Sequence, residues 1–238
     1  MPAAHSGTGH IDVVVVGGGI IGLLTAYELI EAGARVTIVD RQSIAQEASW
    51  AGGGILSPLY PWRYPEAVTR LASWSQRHYA ELIQNLLEIT GVDAQYLQSG
   101  LLIYSPNEQD IAAKWAENHN ISLEIVNAEK ASEIQPGIQV DEISWIWMPE
   151  VAQVRNPRLL QALRVYMSLK DVKIIENEPL SEIKLRAGKL EGLETKSGFL
   201  PADHCLVAAG AWSSKLLDNS GIGLPIEPVR GQILLLKG

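Results

Sequence analysis

Ile11-Asp-Val-Val-Val-Val-Gly-Gly-Gly-Ile-Ile-Gly-Leu-Leu-Thr-Ala-Tyr-Glu-Leu-Ile-Glu-Ala-Gly33, continued by Arg35-Val-Thr-Ile-Val-Asp40, decides the fold of this 238-residue chain. Val13 to Val16 run without polar alternation, the pattern of a parallel strand buried on both faces. A helix of good formers opens at Ile20 and stops at Gly33, a residue suited to the left-handed turn beyond a helix end. Gly17, Gly19 and Gly22 mark the junction. The first permits a tight strand-to-helix turn, the second lets backbone approach a pyrophosphate, and the third lets the helix lie close on the sheet. The phosphates then meet the positive end of the helix dipole. Asp40 stands 18 residues after Gly22, at the end of the second strand. A carboxylate there accepts hydrogen bonds from ribose hydroxyls and repels a 2′-phosphate. Strand, glycines, helix, glycine, strand and acid follow in the order of one dinucleotide-binding βαβ unit.

The next stretch separates two dinucleotides. A nicotinamide-binding domain adds another helix and strand soon after the acid. Here Arg41-Gln-Ser-Ile-Ala-Gln-Glu-Ala-Ser-Trp-Ala-Gly-Gly-Gly-Ile-Leu-Ser-Pro58 follows instead, a loop of small residues and glycines that leaves room for something large and flat against backbone. FAD fits that loop better than NAD.

Composition bounds the partners. With 47% apolar residues the chain has ample material for a core, as one large domain or two modest ones. A net charge of −8 and scattered basic residues offer no footprint for nucleic acid or anionic membrane, so small molecules are the expected partners. Met1 to His10 hold no Lys or Arg and no signal-peptide core. No segment reaches the roughly 18 apolar residues of a spanning helix, and the cytoplasm is expected. Cys205, the single cysteine, lies in a strand-like apolar segment and reads as an inert buried thiol.

Beyond the loop, residues 65–88 read as a long helix, with Ala67, Leu71, Trp74, His78 and Leu82 at helical spacing and Gly91 after it. A strand pair is expected within 96–104, helices over 108–119 and 128–134, and an aromatic strand over 143–148. These elements form a second, inserted domain. Trp145 and Trp147 share one face of the aromatic strand, which points to sheet packing. A helix over 157–170 has Asn156 as N-cap and proline at its first position. The chain then returns to the nucleotide domain: a parallel strand over 172–175, a hairpin of 181–186 and 190–195 turning at Ala187-Gly188, and a strand over 204–208 ending at Ala209-Gly210. Residues 229–237 read as a further strand.

Four stretches together carry a resemblance: Gly17 to Gly22 with Asp40-Arg41; Glu47-Ala-Ser-Trp-Ala-Gly-Gly-Gly-Ile-Leu-Ser-Pro58; Asn156-Pro-Arg-Leu-Leu-Gln-Ala-Leu163; and Val207-Ala-Ala-Gly-Ala-Trp-Ser213 leading to Pro228-Val-Arg-Gly-Gln232. Over its whole length the chain resembles the N-terminal part of FAD-dependent enzymes of the D-amino-acid oxidase superfamily, most of all the glycine oxidases of thiamine biosynthesis. The resemblance implies an α/β fold: a Rossmann-like FAD-binding domain (1–60 and 156–220) with an inserted, incomplete α+β substrate domain (61–155), whose returning strand starts in 221–238. The Gly-Leu-Arg-Pro motif of the family's C-terminal portion does not occur, which predicts a truncated or split product.

The same resemblance implies non-covalent FAD and an amino-acid substrate. Glycine or another small amine or D-amino acid is oxidised to an imine, and oxygen leaves as hydrogen peroxide. It also implies a homo-oligomer at full length. The flavin supplies the redox chemistry, and no acid-base dyad or metal site is expected. Carried over by motif, Gly17, Gly19, Ile20, Ile21 and Gly22 open the phosphate-binding helix. Asp40 takes the ribose with Arg41 beside it. Ala48, Ser49, Gly53, Gly54 and Ile55 line the pyrophosphate and flavin edge through backbone groups, Leu180 packs near adenine, and Gly210 faces the same groove. Arg155, Arg230, Tyr60 and Tyr64 are local candidates for a substrate carboxylate or lid, though lone residues of these types more often satisfy structural bonds. Two alternatives stand beside this reading: a D-amino-acid dehydrogenase or sarcosine-type oxidase, and a non-catalytic FAD-binding remnant.

Overall fold

The computed structural model describes residues 11–138, 144–218, 220–232 and 234. In chain order its elements are β1 (Asp12–Val16), α1 (Ile20–Glu31), β2 (Arg35–Val39), α2 (Glu47–Ala51), α3 (Glu66–Thr90), β3 (Leu101–Ile103), α4 (Gln109–His119), β4 (Glu124–Val126) and α5 (Ala128–Ile134). There follow β5 (Trp145–Met148), α6 (Asn156–Leu169), β6 (Lys173–Ile175), β7 (Leu180–Arg186), β8 (Lys189–Thr195), β9 (Gly198–Pro201), β10 (His204–Val207) and α7 (Ser213–Asp218). Two compact units emerge, Met1–Gly52 with Leu160–Gly238 and Gly53–Leu159.

The first unit is built on a parallel four-stranded sheet in the order β10-β1-β2-β6. β1 is central, and Val13 to Val16 are all buried, so the unalternated valines match a strand covered on both faces. α1 buries Leu23 and Ala26 completely and packs on β1 and β2. It ends at Glu31, and Gly33 takes φ +85° just past it, a conformation open to glycine at no steric cost. α6 brings the fully buried Tyr166 against Tyr27 of α1, with ring centroids 4.7 Å apart, and the Tyr166 hydroxyl donates to the Glu31 carboxylate. An antiparallel sheet β7-β8-β9 contributes Leu193 and Leu200 to an apolar cluster with Val14, Val16, Val39 and Ala202.

The second unit holds the antiparallel sheet β3-β5-β4. Along β5 the side chains alternate: Ile146 and Met148 are buried with Trp62, Ile103 and Ala112, while Trp145 and Trp147 stay half-buried on the other face. The Trp147 ring lies over Gly100, where an added Cβ would come within 1.8 Å of it, and Trp145 packs on Tyr104 at 5.0 Å. Both indoles are thus sheet-packing residues.

Several sequence expectations need correction. Residues 47–51 form α2, not loop. The strand pair expected within 96–104 is one short strand, β3, while Leu97 makes only an isolated bridge to Gln153. α6 starts at Asn156 itself, one residue before the expected position. β9, whose glycine and proline hid it, completes a sheet that the hairpin alone began. Over 229–237 the described residues, 229–232 and 234, are exposed and not in a strand, and the others lie outside the described residues. So do Met1 to His10 and Ile143. The long helix expected over 65–88 is present as α3; its Ala67, Leu71, Trp74 and His78 are exposed, whereas its buried side chains are Thr69, Ile83 and Leu86.

Candidate cofactor site

In the first unit, β1 has partners leading two ways: the chain reaches β2 and β6 on one side and β10 on the other. The carboxyl ends of β1 and β10 therefore form the point where the strand order reverses, the place at which an open α/β sheet takes its ligand. Gly17 leaves β1 with φ +108°, its amide bonded to the Val39 carbonyl at 2.8 Å. A Cβ on Gly17 would fall 2.4 Å from the Ala208 carbonyl oxygen, and one on Gly22 would fall 1.9 Å from that of Gly17. Backbone thus fills the space that side chains would need, and the amino end of α1 is met at Gly19 and Ile20 by the Ser49 hydroxyl. Gly19 is an extended N-cap with no side-chain cap of its own. Ile21 is 65% exposed at the first turn.

Asp40, half-buried after β2, braces this turn. Its Oδ2 accepts from the Gly18 amide at 2.7 Å and its Oδ1 from the Gln42 amide at 2.9 Å. A carboxylate offers about four acceptor positions, so two remain for ribose hydroxyls. Gly18, passed over in the sequence, is fixed by packing: a Cβ there would lie 2.2 Å from the Ile44 methyl. Nothing local reveals that contact, because Ile44 is placed by a hydrogen bond from its amide to Glu176, 132 residues further along the chain.

Ser49 acts through its side chain as well as its place in the loop. Its hydroxyl, from α2, accepts from the Ile20 amide at 2.8 Å and so caps α1 from outside. Ala48 is exposed beside it. The Arg41 guanidinium lies 3.8 Å from the Trp212 ring centroid and pairs with Glu47 at 3.1 Å. Neither partner stood out in the sequence, although Glu47 and Trp212 both lie within quoted stretches. Ala45 and Glu47 hold positive φ of 65° and 55°, backbone strain of the kind that gathers at ligand clamps. Gly210 opens a 3-10 turn after β10 with φ +53°. The Leu180 side chain joins the apolar cluster beneath the sheet, which leaves its main chain as the part able to meet a ligand.

Gly53, Gly54 and Ile55 belong to the second unit. Gly54 has φ +79°, its carbonyl accepts from the Val154 amide at 2.9 Å, and a Cβ would lie 1.9 Å from the Val154 oxygen. Ile55 bridges Gln153 and is 42% exposed, and Gly53 has open space around its Cα. Of the substrate-contact candidates, Tyr60 carries the Arg63 guanidinium 4.0 Å above its ring, and Arg63 in turn pairs with Glu108. Those bonds give Tyr60 a structural role. Tyr64 is exposed, and the Arg155 amide bonds the Ala94 carbonyl. Arg230 is exposed in the first unit.

Cys205, on β10, has its thiol pushed up to about 11 by burial, which keeps it protonated and unreactive near neutrality. Among the described residues no group of three metal-ligating side chains occurs, and no helix is long and apolar enough to cross a membrane.

The positive end of a helix opened by a glycine N-cap, a glycine turn with no room for Cβ atoms and a carboxylate at the neighbouring strand end fit an adenine dinucleotide. Comparison with known proteins agrees. The family model of FAD dependent oxidoreductases matches residues 12–238. The chain is 47% identical to a glycine oxidase of Pseudomonas aeruginosa over 94% of its own length and 62% of the relative's. It is 32% identical to a bifunctional protein ThiO/ThiG of Nostoc, covering 95% of this chain and 34% of that one. The solved glycine oxidase of Geobacillus kaustophilus superposes with a TM-score of 0.84 at 25% identity, covering 93% of this chain and 61% of that one. The chain thus spans just over three fifths of the glycine oxidases it matches. A D-amino acid dehydrogenase of Vibrio cholerae is more distant, at 24% identity. The cradle at the carboxyl ends of β1 and β10 and the family match together place this chain in the family of FAD-dependent oxidoreductases.

Proposed function

We propose that this chain binds FAD non-covalently in the cytoplasm and forms the cofactor-holding part of an enzyme that oxidises glycine, or another small amine or D-amino acid, in thiamine biosynthesis. The observation that carries the proposal is the pair of close backbone approaches at Gly17 and Gly22 beside the start of α1, where the Gly19 N-cap has no side chain of its own. The 42–47% identity to two Pseudomonas glycine oxidases supports the substrate class.

In this reading the amides of Ile20 and Ile21 face the diphosphate, with Ser49 sharing the Ile20 amide. Asp40 holds the ribose through its free lone pairs and keeps Gly18 in place. Arg41 and the main chain of Leu180 border the adenosine end. Ala48 and Gly210 border the groove. When bound, FAD supplies the two-electron oxidation of the amine, whose product imine hydrolyses while oxygen is reduced to hydrogen peroxide. The chain's own contribution is orientation and electrostatics.

Two measurements test the proposal. Titration with FAD is expected to quench flavin fluorescence and raise the melting temperature, and a stronger response to NAD would overturn the proposal. Peroxide release on addition of glycine to the full-length enzyme is the expected activity, and its absence with FAD bound would overturn the assigned reaction while leaving the cofactor site in place.

A further inference from the structure

On the reading that this groove takes FAD, we infer that Trp212 is a positioning residue: it holds the Arg41 guanidinium over the carboxyl end of β1, against the cofactor's diphosphate. Arg41 follows β2 and Trp212 follows β10, strands on opposite sides of β1. The guanidinium nonetheless lies 3.8 Å from the Trp212 ring centroid. The glycine turn sits between these two anchor points, because Asp40, next to Arg41, accepts from the Gly18 amide and the Ala208 carbonyl lies against Gly17. That turn is where a dinucleotide places its diphosphate. A 3-10 turn over Gly210–Trp212, with the Trp212 amide on the Ala209 carbonyl at 3.1 Å, brings the indole back toward Arg41.

Charge gives the guanidinium its task. A diphosphate is doubly ionised, and the carboxylates of Asp40 and Glu47 already border the turn. The positive end of α1 is equivalent to roughly half an elementary charge, too little to offset them. A guanidinium adds a full charge and a planar fork of donors that matches phosphate oxygens. An unrestrained arginine loses rotamer freedom when it binds, whereas one already held in place does not. Two contacts restrain Arg41. Trp212 takes one face of the guanidinium, and Nη2 donates to the Glu47 Oε1 at 3.1 Å. The same oxygen accepts from the Gln42 Nε2 at 2.9 Å, which fixes Glu47 in turn. Glu47 keeps a φ of +55°, a conformation that side-chain-bearing residues hold only where their surroundings impose it. Arg41 has further N–H donors beyond the one Glu47 engages, and its side chain is 43% exposed, so a phosphate can reach it.

Fluorescence titration of the chain with FAD over a series of salt concentrations, with circular dichroism as the check on folding, is the test. Arg41→Gln and Trp212→Leu are each expected to weaken FAD about tenfold and to flatten the salt dependence of its binding. The double variant is expected to bind no more weakly than Arg41→Gln alone, because Trp212 acts through Arg41. Trp212→Phe, which keeps an aromatic face, is expected to restore most of the affinity lost in Trp212→Leu. Arg41→Lys keeps the charge without the stacking plane and is expected to lose affinity as Trp212→Leu does, which reads the same dependence even if the leucine variant does not fold. A double variant weakened by the full sum of both changes would show that Trp212 serves packing alone and would overturn the inference. So would Arg41→Lys and Trp212→Leu that bind FAD like the unaltered chain, or a Trp212→Leu salt dependence left unchanged. Absence of FAD binding in the unaltered chain is a separate outcome that removes the cofactor reading itself, and the role of Trp212 with it.

Discussion

Gly22 illustrates how little room the nucleotide turn leaves. Its missing Cβ is occupied by the Gly17 carbonyl, so Gly22→Ala forces backbone apart with no flexible side chain to yield. FAD affinity is expected to fall by at least tenfold, read by flavin fluorescence with folding checked by circular dichroism. Asp40→Asn tests a different bond set. The carboxylate accepts from two backbone amides, and an amide side chain offers one acceptor and sets a donor against the other. The expected loss is about 1–3 kcal/mol of unfolding free energy, measured by urea titration, together with weaker FAD binding. An undiminished stability would show that the two amides find water instead.

Helices α3 and α4 meet through His119. Its imidazole bonds the Glu66 carboxylate at 2.8 Å and the Trp115 carbonyl at 2.7 Å. These bonds, the Glu66 one foremost, raise its pKa above the ordinary 6.5. A raised pKa means that the folded state binds the proton more tightly. The added stability is full below pH 6.5 and is lost as the pH climbs through the folded-state value. Because Glu66 is largely exposed, the amplitude is expected to stay under about 1 kcal/mol. Thermal melts between pH 5.5 and pH 8.5 should show the decline, and His119→Gln should flatten it; an unchanged slope in the variant would remove His119 as its source. At the α4 start the reverse sign holds. The Arg63 guanidinium, then Ser105, holds the Glu108 carboxyl down to about 2, so that contact persists until strongly acidic pH.

Across the whole molecule, two apolar clusters without a shared member stabilise the two units. Leu193 is fully buried in the first and Ile146 in the second. Truncation of either to Ala is expected to cost about 2–5 kcal/mol through lost burial and the cavity left behind. Native-state hydrogen exchange should localise the damage: Leu193→Ala to the sheets of the first unit, Ile146→Ala to the sheet β3-β5-β4. Equal loss of protection in both units from either change would mean that they unfold as one.

The sequence by itself determined the nucleotide turn and the elements around it. A run of four valines, three spaced glycines, a helix of good formers and a terminal acid act through neighbours in the chain, so their geometry is already local. It also disclosed the long helix α3 and the hairpin turn at Ala187-Gly188, both set by spacing and by left-handed backbone. Only the tertiary structure decided which groups those elements engage. The Asp40 carboxylate braces Gly18, the Ser49 hydroxyl caps Ile20, Arg41 stacks on Trp212, and Trp74 points to solvent instead of core. Each of these outcomes depends on a partner or a packing surface distant in sequence, and helical or strand periodicity carries no information about which face of an element the rest of the fold will cover.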